Sequence, residues 1–113
     1  MRPMKIAVTS QNYRTVTGHA GKTRRFIIYE VDEDGTFREV ERLDLPKEMS
    51  IHAHPAHEPH PLDSVHYLLT AGCGQGFVNK MEQRGVQVFI TDEEDPAKAV
   101  GSLLRQLGWR TVH

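Results

Sequence analysis

Hydrophobic and polar positions along this chain predict five strands and two helices. Residues 4–10 (MKIAVTS) alternate apolar and β-branched side chains and end in polar Gln11-Asn12-Tyr13, the pattern of a first strand. Residues 24–31 (RRFIIYEV) predict a second strand. Residues 36–45 predict a third, half-exposed strand in which Phe37, Val40 and Leu43 alternate with charges. The tight turn Asp32-Glu33-Asp34-Gly35 makes these two an antiparallel hairpin. Residues 65–69 and 86–90 are nearly continuous apolar runs, as in strands covered on both faces. Between them lie a glycine-spaced turn at residues 71–76 and a helical pattern of Phe77, Val78 and Met81 that stops at Gly85. Strand, helix and strand in this order join parallel neighbours. The last helix opens on Asp95 as N-cap with Pro96 at its first position, buries Ala99, Val100, Leu103, Leu104 and Leu107, and closes at Gly108. The tail WRTVH packs through Trp109 or frays.

The predicted fold is α/β with two to three helices. If strand one pairs with strand two on one side and strand four on the other, the mixed sheet has the order 3-2-1-4-5, with strand two antiparallel to the rest. Strand one is then the place where the chain leaves in both directions, and a ligand crevice is expected beyond the carboxyl ends of the strands there. The loops at that edge are residues 11–22 and 71–76, which brings together His19, Lys22, Cys73 and the glycine turn. Residues 46–61 hold four prolines and no sustained period, so a single turn at residues 47–51 is the most helix they allow. This loop starts near the same edge, which favours His52 and His54 over His57 and His60 as site residues.

The chain has 113 residues, so one domain over residues 1–113 with one modest core is expected. A formal net charge of -1 gives no global attraction to nucleic acid or to an anionic membrane. The chain shows neither an apolar stretch of the roughly 20 residues a membrane span needs nor a signal-peptide block, so a cytoplasmic location is expected. Its one cysteine, Cys73, has no internal disulfide partner and is a buried small residue, a reactive thiol or a ligand. Of seven histidines, four crowd into residues 52–60.

That stretch, His52-x-His54-x2-His57-x2-His60, has the ligand chemistry for zinc, copper, nickel or iron, but not the i, i+4 spacing of a helical zinc motif. A solvated loop is the competing reading. Cys73, between two glycines at a helix start, is expected to favour thiolate and soft metals, against a plain buried role. Arg14, Lys22, Arg24 and Arg25 are candidates for receiving an anion, although consecutive Arg24 and Arg25 point to opposite faces. Gly72, Gly74 and Gln75 belong to a turn whose bare N–H groups meet a helix N-terminus, which suits anions. Gly72-x-Gly74-x-Gly76 is not a dinucleotide fingerprint, since Phe77 stands where the last glycine belongs. His66 reads as a core or sheet histidine. The acids fall mainly in turns and helix starts, so no clustered carboxylates suggest a two-metal nuclease.

The segments MKIAVTS, His19-Ala20-Gly21, RRFIIYEVDEDG and LDSVHYLLTAGCGQGFVNKMEQRGVQVFIT, with the short C-terminal helix, resemble the dinitrogenase iron-molybdenum cofactor biosynthesis family of NifX/NafY-type domains, also found at the end of NifB. The resemblance covers almost the whole chain and is most specific over residues 62–90. It departs where His-Phe-Gly is common and this chain has His19-Ala20-Gly21. A proline- and histidine-rich loop also replaces the usual helix between strands three and four, and Cys73 stands where many relatives have an apolar residue.

The resemblance implies a ribonuclease H-like fold and a non-enzymatic binding or carrier protein for iron-molybdenum cofactor or a precursor metal–sulfur cluster. The expected ligands are His19, Cys73 and one of His52 or His54, with Lys22, Arg24, Gly72, Gly74 and Gln75 receiving the anion. Nitrogenase or cofactor-assembly proteins are the implied partners. Two other readings stay open: a mononuclear metal-binding protein or hydrolase using the histidine loop, for which Glu58 is the only adjoining acid, and a ligand-free interaction module.

Overall fold

The computed structural model describes residues 4–55 and 57–109. Five strands, β1 (Met4–Thr9), β2 (Arg25–Val31), β3 (Phe37–Asp44), β4 (Tyr67–Thr70) and β5 (Gln87–Ile90), form one sheet in the order β3-β2-β1-β4-β5. β2 runs antiparallel to β1 and β3, whereas β4 runs parallel to β1 and β5, as the sequence predicts. Helix α1 (Gln75–Gln83) joins β4 to β5, and α2 (Pro96–Gln106) follows β5.

Pleating sends alternate side chains into two cores, one on each face of the sheet. Ala7, Phe26, Ile28 and Leu68 pack with Phe77 and Met81 of α1 and with Leu45, Ile51 and Leu62 from the β3–β4 connection. Ile6, Val8, Ile27, Val31 and Leu69 pack beneath Ala99, Val100, Leu103 and Leu104 of α2. Asp95 caps α2 by accepting from the Lys98 N–H at 3.2 Å, and Gly108 takes the positive φ of +88° that ends it. Trp109 packs partly against the α2-side core, and the rest of the tail lies outside the described residues.

Val40 explains the three-residue spacing of Phe37, Val40 and Leu43. Ile28 pairs with Glu41 but Tyr29 pairs with Glu39, so Val40 is a bulge. Phe37 therefore joins the α2 side and Leu43 the α1 side, although their spacing alone would place them on one face.

Among its described residues, the connection from β3 to β4 holds two single 3-10 turns, Lys47–Met49 and Pro61–Ser64, and no longer helix. It is held from outside by Arg84, whose side chain is only 7% exposed. The guanidinium donates to the Pro55 carbonyl at 3.1 Å, the Glu58 carbonyl at 3.0 Å and the Asp63 carboxylate at 2.9 Å. Two expectations are corrected. β5 takes the edge position the predicted order gives it but is not covered on both faces, since Gln87 and Ile90 are exposed, Ile90 at 65%. His66 is no core histidine: its side chain is exposed just ahead of β4 with Nδ1 accepting from the Lys5 N–H, although its own N–H donates to the Lys5 carbonyl and its carbonyl accepts from Gln87 N–H at the start of the sheet ladder.

Candidate functional site

The carboxyl ends of parallel β1 and β4 carry buried hydroxyl side chains, Thr9, Ser10 and Thr70, where the chain must turn away from the sheet. These groups stitch the first loop to the glycine turn. Thr17 N–H donates to the Thr9 carbonyl at 2.9 Å, Ala71 N–H to the Thr17 carbonyl at 3.1 Å, and Ala20 N–H to the Gly72 carbonyl at 3.3 Å. The hydroxyls of Thr9 and Thr70 also face the Thr17 carbonyl. Sequence reasoning missed this threonine belt, since a β-branched residue at a strand end reads as part of the strand.

His19 sits in the left-handed region with φ +54°, a conformation that costs a non-glycine residue about 1–2 kcal/mol. Its carbonyl holds that turn by accepting from the N–H groups of Lys22 at 2.9 Å and Thr23 at 3.1 Å. A third segment closes in when His52 N–H donates to the Gly21 carbonyl at 2.8 Å.

The three segments bound an open cleft of about 630 Å³, lined by residues 18–22, His52, residues 71–74, Gly76 and Phe77. This size suits a small cofactor. α1 starts at its edge with Gly74 as N-cap and no side chain capping the first turn, so the helix presents its positive end there. Gly72, Gly74 and Gly76 have no positive φ, and a Cβ on any of them would meet nothing within 4 Å. Neither backbone strain nor packing requires these glycines. Their effect is to keep the cleft wide and its amides bare.

Of the sequence-predicted residues, His19, Lys22, His52, Gly72, Cys73 and Gly74 line this cleft. Three others do not. His54 turns into its own loop, its Nε2 2.9 Å from the Pro59 carbonyl and its ring edge-on to His60 at 4.9 Å. Gln75 donates along α1 to Asn79 at 2.9 Å. Arg24 is exposed one residue ahead of β2, on the α1 face of the sheet by alternation with Phe26, and its N–H donates to the Gln11 side chain at 3.2 Å. Its neighbour Arg25 lies on the other face, where it meets Asp44 at 3.5 Å and stacks over Tyr13.

Burial pushes the Cys73 thiol above its ordinary value, which corrects the expectation of a ready thiolate. His60 is structural. Its Nδ1 accepts from Leu62 N–H at 3.0 Å, so its Nε2–H is the donor to the Met49 carbonyl, and both ring nitrogens are occupied. Among the described residues, no three His, Cys, Asp or Glu side chains converge closely enough to hold one metal ion. What the cleft offers is two imidazoles, a thiol and a lysine around the positive end of α1.

Two solved structures with this architecture share little sequence with the chain. The crystal structure of a protein provisionally named a dinitrogenase, from Methanocaldococcus jannaschii, is 12% identical with a TM-score of 0.63, covering 94% of this chain and 92% of that one. The NMR structure of a protein provisionally named NifB, from Thermotoga, is 21% identical with a TM-score of 0.60, covering 90% and 88%. Likeness at such identity shows the fold. No curated protein matches the chain. The family model described as dinitrogenase iron-molybdenum cofactor matches residues 2–106, and the chain belongs to that family.

Proposed function

We propose that residues 1–113 form a single-domain, non-enzymatic carrier that binds iron-molybdenum cofactor, or a precursor metal–sulfur cluster, in this cleft. The cargo is then passed to nitrogenase or a cofactor-assembly protein in the cytoplasm. Beside the family membership, one observation supports the reading: soft and borderline donors share the cleft with the uncapped end of α1. His19 and His52 would ligate exposed metal atoms of the cluster, and Cys73 would lose its proton on ligation. Lys22, the N–H groups of the first turn of α1 including Gln75, and more distantly Arg24 would balance the negative charge. Gly72 and Gly74 would give the cluster room. His54 has no part in this assignment, because its ring nitrogen is engaged with the Pro59 carbonyl.

The test is anaerobic reconstitution with iron-molybdenum cofactor, or with iron, sulfide and molybdate, followed by elemental analysis and absorption spectroscopy. The wild-type chain should retain iron and molybdenum in fixed proportion, and the double change His19→Asn and Cys73→Ala should abolish retention. Asparagine tolerates the left-handed backbone at position 19, so a loss would report the imidazole and not the turn. Unchanged retention would remove both residues as ligands. Retention of zinc or nickel alone would move the function to a mononuclear site, and no retention at all would leave an interaction module.

A further inference from the structure

The two edges of the sheet are built differently. β3 carries exposed Arg38, Glu39, Glu41 and Arg42 and a bulge at Val40, features that keep an edge from pairing with another strand. β5, with the sequence Gln87-Val88-Phe89-Ile90, has no charge, proline or bulge, and among the described residues no strand pairs with its outer side. Gln87 N–H and Thr91 N–H donate inward, to the His66 carbonyl at 3.2 Å and the Thr70 carbonyl at 2.9 Å. In a parallel ladder the intervening residues, Val88 and Ile90, then turn their N–H and C=O groups outward.

We infer that β5 is a self-pairing edge, and that a second copy of this chain docks there by antiparallel β5–β5 addition about a two-fold axis at Phe89. In that register Val88 of each copy exchanges both backbone bonds with Ile90 of the other, which uses the outward-facing groups named above. Phe89 opposes Phe89, and Gln87 opposes Thr91, so apolar meets apolar and polar meets polar. Centring the axis on Val88 instead would set Gln87 against Phe89. The charges agree with the same choice. The run Asp92-Glu93-Glu94 follows β5 directly, so parallel pairing would lay the two acidic runs side by side. Antiparallel pairing separates the two Asp92 positions by about 20 Å along the strands, beyond the Debye length of about 8 Å at physiological salt. Burying Ile90, 65% exposed in the single chain, supplies the apolar centre of the contact. The inference is independent of what the cleft holds.

Sedimentation velocity across a concentration series, paired with amide hydrogen exchange, tests it. The wild-type chain should form a dimer with rising concentration, and the amides of Val88 and Ile90 should slow together as it forms. Ile90→Lys should yield a folded monomer, since the side chain is already exposed, whereas Ile90→Val should keep the dimer. A chain that stays monomeric to about 1 mM overturns the proposal. A dimer that survives Ile90→Lys, or that forms without protecting the Val88 and Ile90 amides, overturns it as well.

Discussion

His60 shows how a single side chain can carry ligand chemistry and spend it on structure. Its ring closes a capping box: Nδ1 accepts from Leu62 N–H, and the His60 N–H in turn donates to the Asp63 carboxylate at 2.9 Å. Burial, partly offset by the bond to the Met49 carbonyl, holds its pKa below the ordinary 6.5. The unfolded chain therefore binds a proton here before the folded one does. Stability from this group is complete above about pH 6.5 and is lost as pH falls from there through the depressed folded value. Thermal unfolding of the wild type should thus weaken between pH 7.5 and pH 5. In His60→Gln that decrement should shrink, with a cost of about 1–3 kcal/mol at pH 7.5 from the carbonyl and N–H left without partners. An unchanged pH dependence would show that another group titrates.

Gly76 makes the opposite case, a residue whose cost to the fold has a use at the cleft. It lies in the first turn of α1 with ordinary backbone angles and open space where a Cβ would go. Gly76→Ala should therefore stabilise the chain by about 0.5–1 kcal/mol in denaturant unfolding. The same change should reduce cluster retention by narrowing the cleft. Retention equal to wild type would mean that the cluster does not approach the start of α1.

Among the elements, α1 matters at both ends. Its N-terminus faces the cleft, and just past its C-terminus Arg84 grips the β3–β4 connection through two carbonyls and Asp63. Asp63 is held below the usual carboxylate range. Desolvation alone would raise it, and the hydrogen bonds from Arg84 and from His60 N–H outweigh that effect. Because His52 sits in this connection, Arg84 supports one wall of the cleft from behind. Arg84→Ala should cost about 1–3 kcal/mol, and the amide of His52, bonded to the Gly21 carbonyl, should exchange faster than those of β1. Uniform acceleration across the sheet would indicate a global loss of stability rather than a local release.

Across the whole molecule, the sheet separates two tasks. The α2 side is an apolar layer beneath that helix, whereas the α1 side carries the cleft lined by His19, His52 and Cys73 and the irregular connection that borders it. The five strands, their order and both helices were legible in the linear pattern, because alternation, apolar runs and caps act over a few residues and each element shows them locally. The crevice was legible for the same reason: strand order implies where the chain leaves the sheet, so His19, Lys22 and Cys73 followed from topology. What required tertiary structure was every property that depends on a distant neighbour. The sequence of the histidine loop does not reveal that His60 and His54 turn to carbonyls while His52 turns to the cleft, because backbone contacts with Met49, Pro59 and Gly21 decide it. Nor does the glycine turn disclose that burial raises the pKa of the Cys73 thiol, or the apolar run 86–90 that Ile90 is left exposed. A residue's type determines which bonds and charges it is able to offer; the packing of segments far apart in the chain decides which are already used and which remain open.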